Sequence, residues 1–589
     1  MGDKEFLRFL PWISFFLITL LVLSCARVVY PPGRMEFGPP QARWVRKTLA
    51  RMSVEEKIGQ MIAWRYSGYF VNRQSEYFRE LEKLIVKRGI GGLIIFGGNV
   101  YETAMLTNAF QRLARIPLLI ASDFERGAGN QIRGAIEFPP LMAMGATRSE
   151  EFVYLMGKIT ALEGRAMGIH MTYAPVVDVN INPENPIINT RSFGEDPELV
   201  SRLAKAFIKG CQENGLIATA KHYPGHGDTD LDSHSYLPTV RGDLERLERV
   251  ELYPFRKAVE AGVQAVMTAH LYVPALDPTP QLPATLSKNI ITDILRKKFG
   301  FKGLIVTDSM GMGGITKHYE PEEAAIMAVK AGVDMVLLPP ETEKVIEALI
   351  EAVKGGKISE RRVDASVRRI LEAKARLGLR RNKLVNIDLL ERTIAVKERI
   401  ELADKMFESS ITLVKNKGDI LPLKDLSKQI AVFSLSSDLG DYFAGRTFVN
   451  EVTKRCEHAV SFYADRFTGE EFLEEAVEKA KNADIALVAL FSSLRAWKGS
   501  VDLEPRHVEV VEKLVGSRVP VVAVSFGSPY FLRHFPEVDS YLCAYRNAAP
   551  AQKAAVRAIF GEIDVSGKLP VSLPGLFCFG HGLTIERND

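Results

Sequence analysis

The chain has 589 residues, with 76 Lys and Arg against 72 Asp and Glu and a formal net charge of +4. A balance that even, with no long basic block, argues against nucleic acid as the main partner. Apolar side chains make up 47% of the chain, which excludes wholesale disorder, and five Cys exclude a disulfide-stapled scaffold. The length predicts two or three domains, each able to bury a sizeable core.

Lys4 and Arg8 lead into an uncharged apolar run over residues 9–23, followed by Ser24 and Cys25. A run of this length fits a secretory signal and falls short of the ~20 residues a spanning helix needs. The ending Leu21-Val22-Leu23-Ser24-Cys25 is similar to a bacterial lipobox, whose Cys is lipidated and becomes the mature N-terminus. Residues 1–25 are therefore expected to direct export to the bacterial cell envelope, with Cys25 holding the protein to the membrane. Pro31-Pro32-Gly33 and Pro39-Pro40 predict a tether over 26–44. The remaining cysteines, Cys211, Cys456, Cys543 and Cys578, show no pairing pattern.

From residue 45 to about 376 one rhythm recurs: a short apolar run, a polar turn, then a helix-period stretch. The runs fall at 58–64, 92–96, 118–122, 172–177, 217–220, 265–269, 304–307 and 333–338. Continuous Val/Ile/Leu runs alternating with amphipathic stretches (150–167, 197–214, 246–261 and 321–331) read as buried parallel strands. Eight such units predict a (β/α)8 TIM barrel over 45–376. Functional side chains are then expected just past the C-terminal strand ends. Those ends read Ser122-Asp123, Val177-Asp178, Lys221-His222, Thr268-Ala269-His270 and Thr307-Asp308. An Asp at the end of a strand could also simply cap the following helix, and a lone Lys could be surface. Charged and imidazole groups gathered at one rim have no packing reason to be there.

A charge-rich connector over 377–400 leads to a second α/β region, 401–589. Strands are predicted at 430–435, 460–463, 485–490, 521–525 and 541–544, with helices such as 469–481 between them. This alternation predicts an open doubly wound sheet, an αβα sandwich. Neither a phosphate-binding G-x-x-x-x-G-K-[ST] loop nor a dinucleotide-binding G-x-G-x-x-G follows a strand, and no cofactor is predicted.

The densest segment runs Lys221-His222-Tyr223-Pro224-Gly225-His226-Gly227-Asp228-Thr229-Asp230-Leu231-Asp232-Ser233-His234-Ser235-Tyr236-Leu237-Pro238. Asp228, Asp230 and Asp232 alternate as in a calcium loop, but Ser233 and Thr239 stand where that loop needs Gly and Glu. Zinc through His222, His226 and His234 is a second reading. Pro224-Gly225 prevents His222 and His226 from sharing a helix face, and no H-E-x-x-H or C-x-x-C accompanies them. The third reading is acid–base catalysis. Asp232 lies two residues before His234, close enough to orient an imidazole and favour its protonated form. His226, between two glycines, reads better as a loop-holding residue than as a catalyst.

The segment resembles the signature of the β-N-acetylglucosaminidase branch of family 3 glycoside hydrolases, K-H-[F/I]-P-G-H-G-x4-D-S-H-x3-P, matching every fixed position. The resemblance continues through Ala174–Asn180, Asn189-Thr190-Arg191-Ser192-Phe193-Gly194-Glu195-Asp196-Pro197, Met267–His270, Pro283–Ser287 and Gly300–Asp308. In the second region it covers Leu413-Val414-Lys415-Asn416, Leu421-Pro422-Leu423 and Gly567-Lys568-Leu569-Pro570. It implies a two-domain enzyme releasing N-acetylglucosamine (GlcNAc) from β-linked glycans with retention, on peptidoglycan fragments by expectation. It makes Asp308 the nucleophile, His234 with Asp232 the acid/base, and Asp123, Arg191, Lys221 and His222 sugar-binding residues. A phosphorylase of the same branch and a surface sugar-binding protein are the alternatives; a metal-dependent amidohydrolase barrel lacks its ligand set.

Two positions depart from the family pattern. D-x-E-G-G-x-V-x-R is usual after the third strand, yet the chain reads Asp123-Phe124-Glu125-Arg126-Gly127-Ala128-Gly129-Asn130-Gln131-Ile132-Arg133. Gln131 holds the expected Arg position and Arg133 follows two residues on, which leaves open which of them meets the sugar. After Asp308 comes Ser309-Met310-Gly311-Met312, where an acidic residue is common.

Overall fold

A computed structural model of the chain describes residues 35, 37–438, 444–494 and 500–588. The apolar run, Cys25 and most of the expected tether lie outside these residues. None of the described helices is long and apolar enough to cross a membrane.

The first helix, Pro39–Leu49, takes over the end of the expected tether. The Pro pair that reads as a loop sits in its first turn, where a missing N–H costs nothing and the fixed φ suits a helix. Val45 and Leu49 anchor it. A second helix, Val54–Gln60, displaces the first predicted strand. Ser53 and Glu56 cap it reciprocally, so Ile58 belongs to a helix face and not to a strand.

Eight strands follow: β1 Ile62–Ser67, β2 Gly92–Phe96, β3 Leu119–Ser122, β4 Met171–Thr172, β5 Thr219–Tyr223, β6 Ala265–Thr268, β7 Leu304–Ser309 and β8 Met335–Leu337. All their ladders are parallel, in the order β4-β3-β2-β1-β8-β7-β6-β5. Bridges from Met171 to Ile217 and from Val176 to Lys221 close the ring between β4 and β5. This is the predicted barrel, with helices outside it. The helix expected over 246–261 is broken into Leu244–Arg249 and Leu252–Glu260. Pro254 explains the break, because its ring clashes with the carbonyl four residues back, at Val250.

Helix Glu360–Arg376 runs beneath the N-terminal ends of β7, β8 and β1. Asp334, fully buried just before β8, accepts from the Ile305 N–H and from Ser366, and pairs with Arg296 and Arg369. Lys374 reaches Gln60, just before β1, at 2.6 Å. The connector is pinned to the barrel as well: Asn108 exchanges two hydrogen bonds with Val385, and Glu163 accepts from the Ala395 N–H.

The second region forms a six-stranded sheet, ordered β11-β10-β12-β13-β14-β9. Its members are β9 Thr412–Asn416, β10 Ile430–Ser436, β11 Ala459–Asp465, β12 Ile485–Phe491, β13 Val521–Ser525 and β14 Ser540–Cys543. Five are parallel, and β9, absent from the sequence expectation, is antiparallel to β14 at the edge. Both sheet faces are buried. On β10, Ala431, Phe433 and Leu435 join one apolar cluster while Ile430 and Val432 join the other. The barrel itself supplies part of the first cluster through Met142, Ala143 and Ala146.

Asp334 is the strongest electrostatic tie under the barrel. Breaking a buried pair strands its partner's charge, at a cost of about 3–5 kcal/mol. Asp334→Ala is expected to lower the urea midpoint of unfolding by a corresponding amount; an unchanged midpoint would contradict this assignment.

Candidate active site

The barrel brings the sequence-predicted residues to one rim. Asp123 follows β3, Lys221 and His222 lie in β5, and Asp308 lies in β7. Arg191 comes from the long loop after β4, and His234 from the loop after β5. All six line one cavity of about 890 Å3.

At its floor, charges alternate. Lys221 Nζ lies 2.8 Å from Asp123 Oδ1 and 2.7 Å from Glu125 Oε1. Arg191 grips both oxygens of Glu125, at 2.9 and 2.7 Å, and donates to the Ile187 carbonyl. Glu125 lines the cavity too, a residue the sequence alone does not single out; its spacing two residues from Asp123 is the one signal there. Burial pushes Glu125 up, but Arg191 and Lys221 outweigh it and hold the carboxyl well below its usual range. Burial likewise pulls Lys221 down, and Asp123 with Glu125 more than restores it.

Asp178, at the end of the extended segment after β4, is a second unassigned residue. It is fully buried, accepts from the backbone N–H groups of His222 and His226, and meets His222 Nδ1 at 2.7 Å. His222 Nε2 faces Arg191 at 3.3 Å, so the ring is oriented from both sides.

The Asp308 carboxyl accepts from the Ser309 N–H at 2.7 Å. Burial works against its charge, yet the imidazoles of His222, His270 and His234 hold it below the ordinary carboxylate value. His270 is fixed between Thr285 Oγ1 and the Ser309 carbonyl, both 2.9 Å away. Through Ser309 it braces the strand end that carries Asp308.

The imidazole of His234 is partly exposed, whereas Asp232 is buried. Asp232 Oδ1 accepts from both the His234 backbone N–H, at 2.9 Å, and Nδ1, at 2.7 Å. The three histidines considered for zinc diverge. His222 is tied to Asp178, His234 to Asp232, and His226 to Thr229 and Ser233. His226 therefore staples the loop, and burial pushes it down to about 4, leaving it neutral.

The glycines after Asp308 seat this loop. Gly313 N donates to the His234 carbonyl at 2.8 Å, and Gly314 N to the Ser233 carbonyl at 3.2 Å. A Cβ on Gly313 would stand 2.6 Å from the Ser235 carbonyl oxygen and 2.9 Å from that of His234. Of the two candidates after β3, Gln131 lines the cavity and accepts from the Gly97 N–H at 3.3 Å; Arg133 is exposed and does not line it.

The second sheet closes one side of the cavity through Ser493, Phe526, Tyr545, Arg546 and Asn547. Arg546 pairs with Glu137 of the barrel at 2.7 Å, and Arg126 meets the same carboxylate oxygen at 3.0 Å.

The glycosyl hydrolase family 3 N-terminal domain model matches residues 53–373, and the family's C-terminal domain model matches 411–576. The chain belongs to glycosyl hydrolase family 3. It is 30% identical over 561 residues to β-hexosaminidase A of Pseudoalteromonas piscicida, covering 84% of this chain and 91% of that one. The structure of a family 3 β-N-acetylglucosaminidase from Paenibacillus sp. str. FPU-7 is similar at a TM-score of 0.80 and 34% identity, covering 89% of this chain and 99% of that one. A β-glucoside phosphorylase structure is similar at a TM-score of 0.84 and 27% identity, covering 93% and 98% respectively.

If the close approach at Gly313 seats the His234 loop, Gly313→Ala displaces that loop and leaves the barrel intact. Turnover of a β-glycoside is expected to fall at least tenfold, and by no more than the roughly 10²–10⁴ that positioned proton transfer supplies. The melting temperature should change little. Full activity in the variant would show that the loop tolerates displacement.

Proposed function

We propose that this family 3 enzyme is an exo-acting, retaining β-N-acetylglucosaminidase. The observation that carries the reading is the His234–Asp232 pair facing the same cavity as the ionised Asp308. The names of the relatives support the choice of sugar.

In this reading Asp308 attacks the anomeric carbon while His234 gives its proton to the departing glycosidic oxygen. The glycosyl–oxygen bond breaks as the glycosyl–Asp308 bond forms. With Nδ1 committed to Asp232, Nε2 is the nitrogen that transfers the proton. His234 then takes a proton from water, which attacks the anomeric carbon and frees Asp308. Asp123, Arg191, Lys221 and His222 meet the sugar hydroxyls. Peptidoglycan fragments are the proposed natural glycan, and the proposed location is the cell envelope, with Cys25 lipidated.

Phosphorolysis is the second reading, favoured by the likeness to the β-glucoside phosphorylase. It differs only in the acceptor, phosphate replacing water. Product analysis with and without phosphate decides it: free GlcNAc in both supports hydrolysis, and GlcNAc 1-phosphate supports phosphorolysis.

Asp308→Asn is expected to lower turnover by roughly 10³-fold or more with the fold retained. A 2-deoxy-2-fluoro glycoside should label a peptide containing Asp308; label elsewhere rejects the assignment. His234→Ala should cost about 10²–10⁴ on substrates with poor leaving groups and far less on activated aryl glycosides, which depart with little protonation. Equal losses on both would make His234 a binding or loop residue.

Selectivity is tested separately. Aryl β-GlcNAc glycosides should be cleaved with higher kcat/KM than the matching β-glucosides. The reverse order would remove the chain from the acetamido-sugar branch.

A further inference from the structure

The underside of the barrel carries a charge pattern that the catalytic site does not use. Helices Pro39–Leu49 and Glu360–Arg376 pack on one another there, in opposite directions. Phe37, just before the first, lies under the Arg376 guanidinium at 4.7 Å, whereas Lys57, just after it, pairs with Asp364 near the other end of the second. From Phe37 to Ser53 the chain has Arg43, Arg46, Lys47 and Arg51, all exposed, and no acid.

A groove along the second of these helices is lined by Arg296, Lys302, Arg361, Arg368 and Arg369, with two acids, Asp364 and Glu372. Arg296 and Arg369 are answered by the buried Asp334, and Asp364 by Lys57. Lys302, Arg361 and Arg368 are exposed. Among the described residues, none of these three, nor Arg43, Arg46, Lys47 or Arg51, has a carboxylate within 4.0 Å. Uncompensated cations on two packed helices and the groove along one of them form a footprint for an anionic surface, effective within about 8 Å at physiological ionic strength.

The direction of the chain says which surface. The described residues begin at this face, beside Arg376, and Cys25 lies twelve residues before Phe37. Fully extended, twelve residues span at most about 40 Å. A lipid on Cys25 therefore holds the underside near the bilayer and leaves the catalytic rim, at the opposite ends of the strands, facing away from it.

We propose that this basic underside is a docking surface for anionic phospholipid headgroups, which orients the barrel with its active-site mouth away from the membrane. The orientation rests on the anchoring at Cys25 offered under the proposed function; the basic face does not, and the test separates them.

The full chain is mixed with liposomes of phosphatidylcholine alone or of phosphatidylcholine with phosphatidylglycerol, and lysine acetylation rates are read by mass spectrometry. Lys47 and Lys302 should label about fivefold more slowly on the anionic liposomes, the size expected of a surface attraction of this kind. The difference should vanish in high salt, and the exposed Lys317, which lies over Tyr236 of the loop after β5 at the catalytic rim, should label equally on both. The charge reversals Arg43→Glu with Arg46→Glu, and Arg361→Glu with Arg368→Glu, should abolish the protection while cleavage of a soluble aryl glycoside stays unchanged, which reports an intact fold.

Retention on both liposomes with protection only on the anionic ones supports the whole proposal. Retention and protection on the anionic liposomes alone supports the basic face and overturns the anchor. Equal labelling of Lys47 and Lys302 on both compositions, or protection that survives the charge reversals, overturns the docking surface. Protection by soluble polyphosphate but not by anionic liposomes does so too.

Discussion

Two cations and two carboxylates sunk into the rim of a barrel must neutralise one another, because none of them is stable there alone. Lys221 is 2% exposed and Glu125 is 6% exposed. Removing a partner from such a set strands a buried charge at a cost of several kcal/mol. The members come from three separate segments: the turn after β3, the loop after β4, and β5 itself. Their mutual attraction fixes those segments in register before any substrate arrives. The resulting floor alternates donors and acceptors, which suits sugar hydroxyls, since each hydroxyl is both. Asp123 is the exposed end of this chain and Arg191 with His222 the other. His222 passes the constraint on to Asp178, and Asp178 in turn seats the backbone of the loop that carries His234.

The second sheet is tied into the same arrangement through the end of the long loop after β4. Arg191 points from it into the cavity, while Glu195, four residues on, turns to the second region. The Glu195 N–H donates to the Pro570 carbonyl, and its carboxylate accepts from Ser572. Gly194 lies between them with φ +148°, and a Cβ there would sit 2.3 Å from the Pro570 carbonyl oxygen. The interdomain contact and the charge network thus share a single rigid support. The Arg546–Glu137 pair adds a second bridge across the cavity mouth. Displacing the second sheet would move a cavity wall and pull on Arg191 together, which gives this domain a structural stake in the site although the residues proposed to meet the sugar lie on the barrel.

Most of the barrel was legible because its strands are buried on both sides and read as unbroken apolar runs. The first strand was misplaced because Ile58 belongs to a capped helix whose apolar residues run directly into those of β1. Strand β9 was missed because an antiparallel edge strand of five residues, entered straight from a helix, has no turn in front of it. At the site, the residues at strand ends were found because a charge there has no packing role. Glu125 and Asp178 escaped for the opposite reason. Their work is to hold Arg191, Lys221 and His222, and only the folded geometry shows which carboxylate holds which cation. Gly313 and Gly314, just past the Ser309-Met310-Gly311-Met312 departure, become intelligible once the His234 loop is seen lying directly on them.

That docking bears on why an imidazole can stand where a carboxylic acid would also serve. In the proposed mechanism the protonated His234–Asp232 pair is neutral overall and Asp308 carries the negative charge. After the first step Asp308 is esterified, and the pair, having lost its proton, carries the charge instead. The total is the same before and after, as it would be with a carboxylic acid. The difference is location. The charge ends on Asp232, which is buried and held by two N–H groups of His234, while the ring that meets the incoming nucleophile is neutral. A carboxylate acid/base would place that charge against the nucleophile itself. For water the distinction matters little, but for an anionic nucleophile it removes the repulsion that would otherwise bar the approach. In the proposed mechanism one loop, stapled by His226 and seated on Gly313 and Gly314, would therefore suit either acceptor without a change in the residues proposed to touch the sugar.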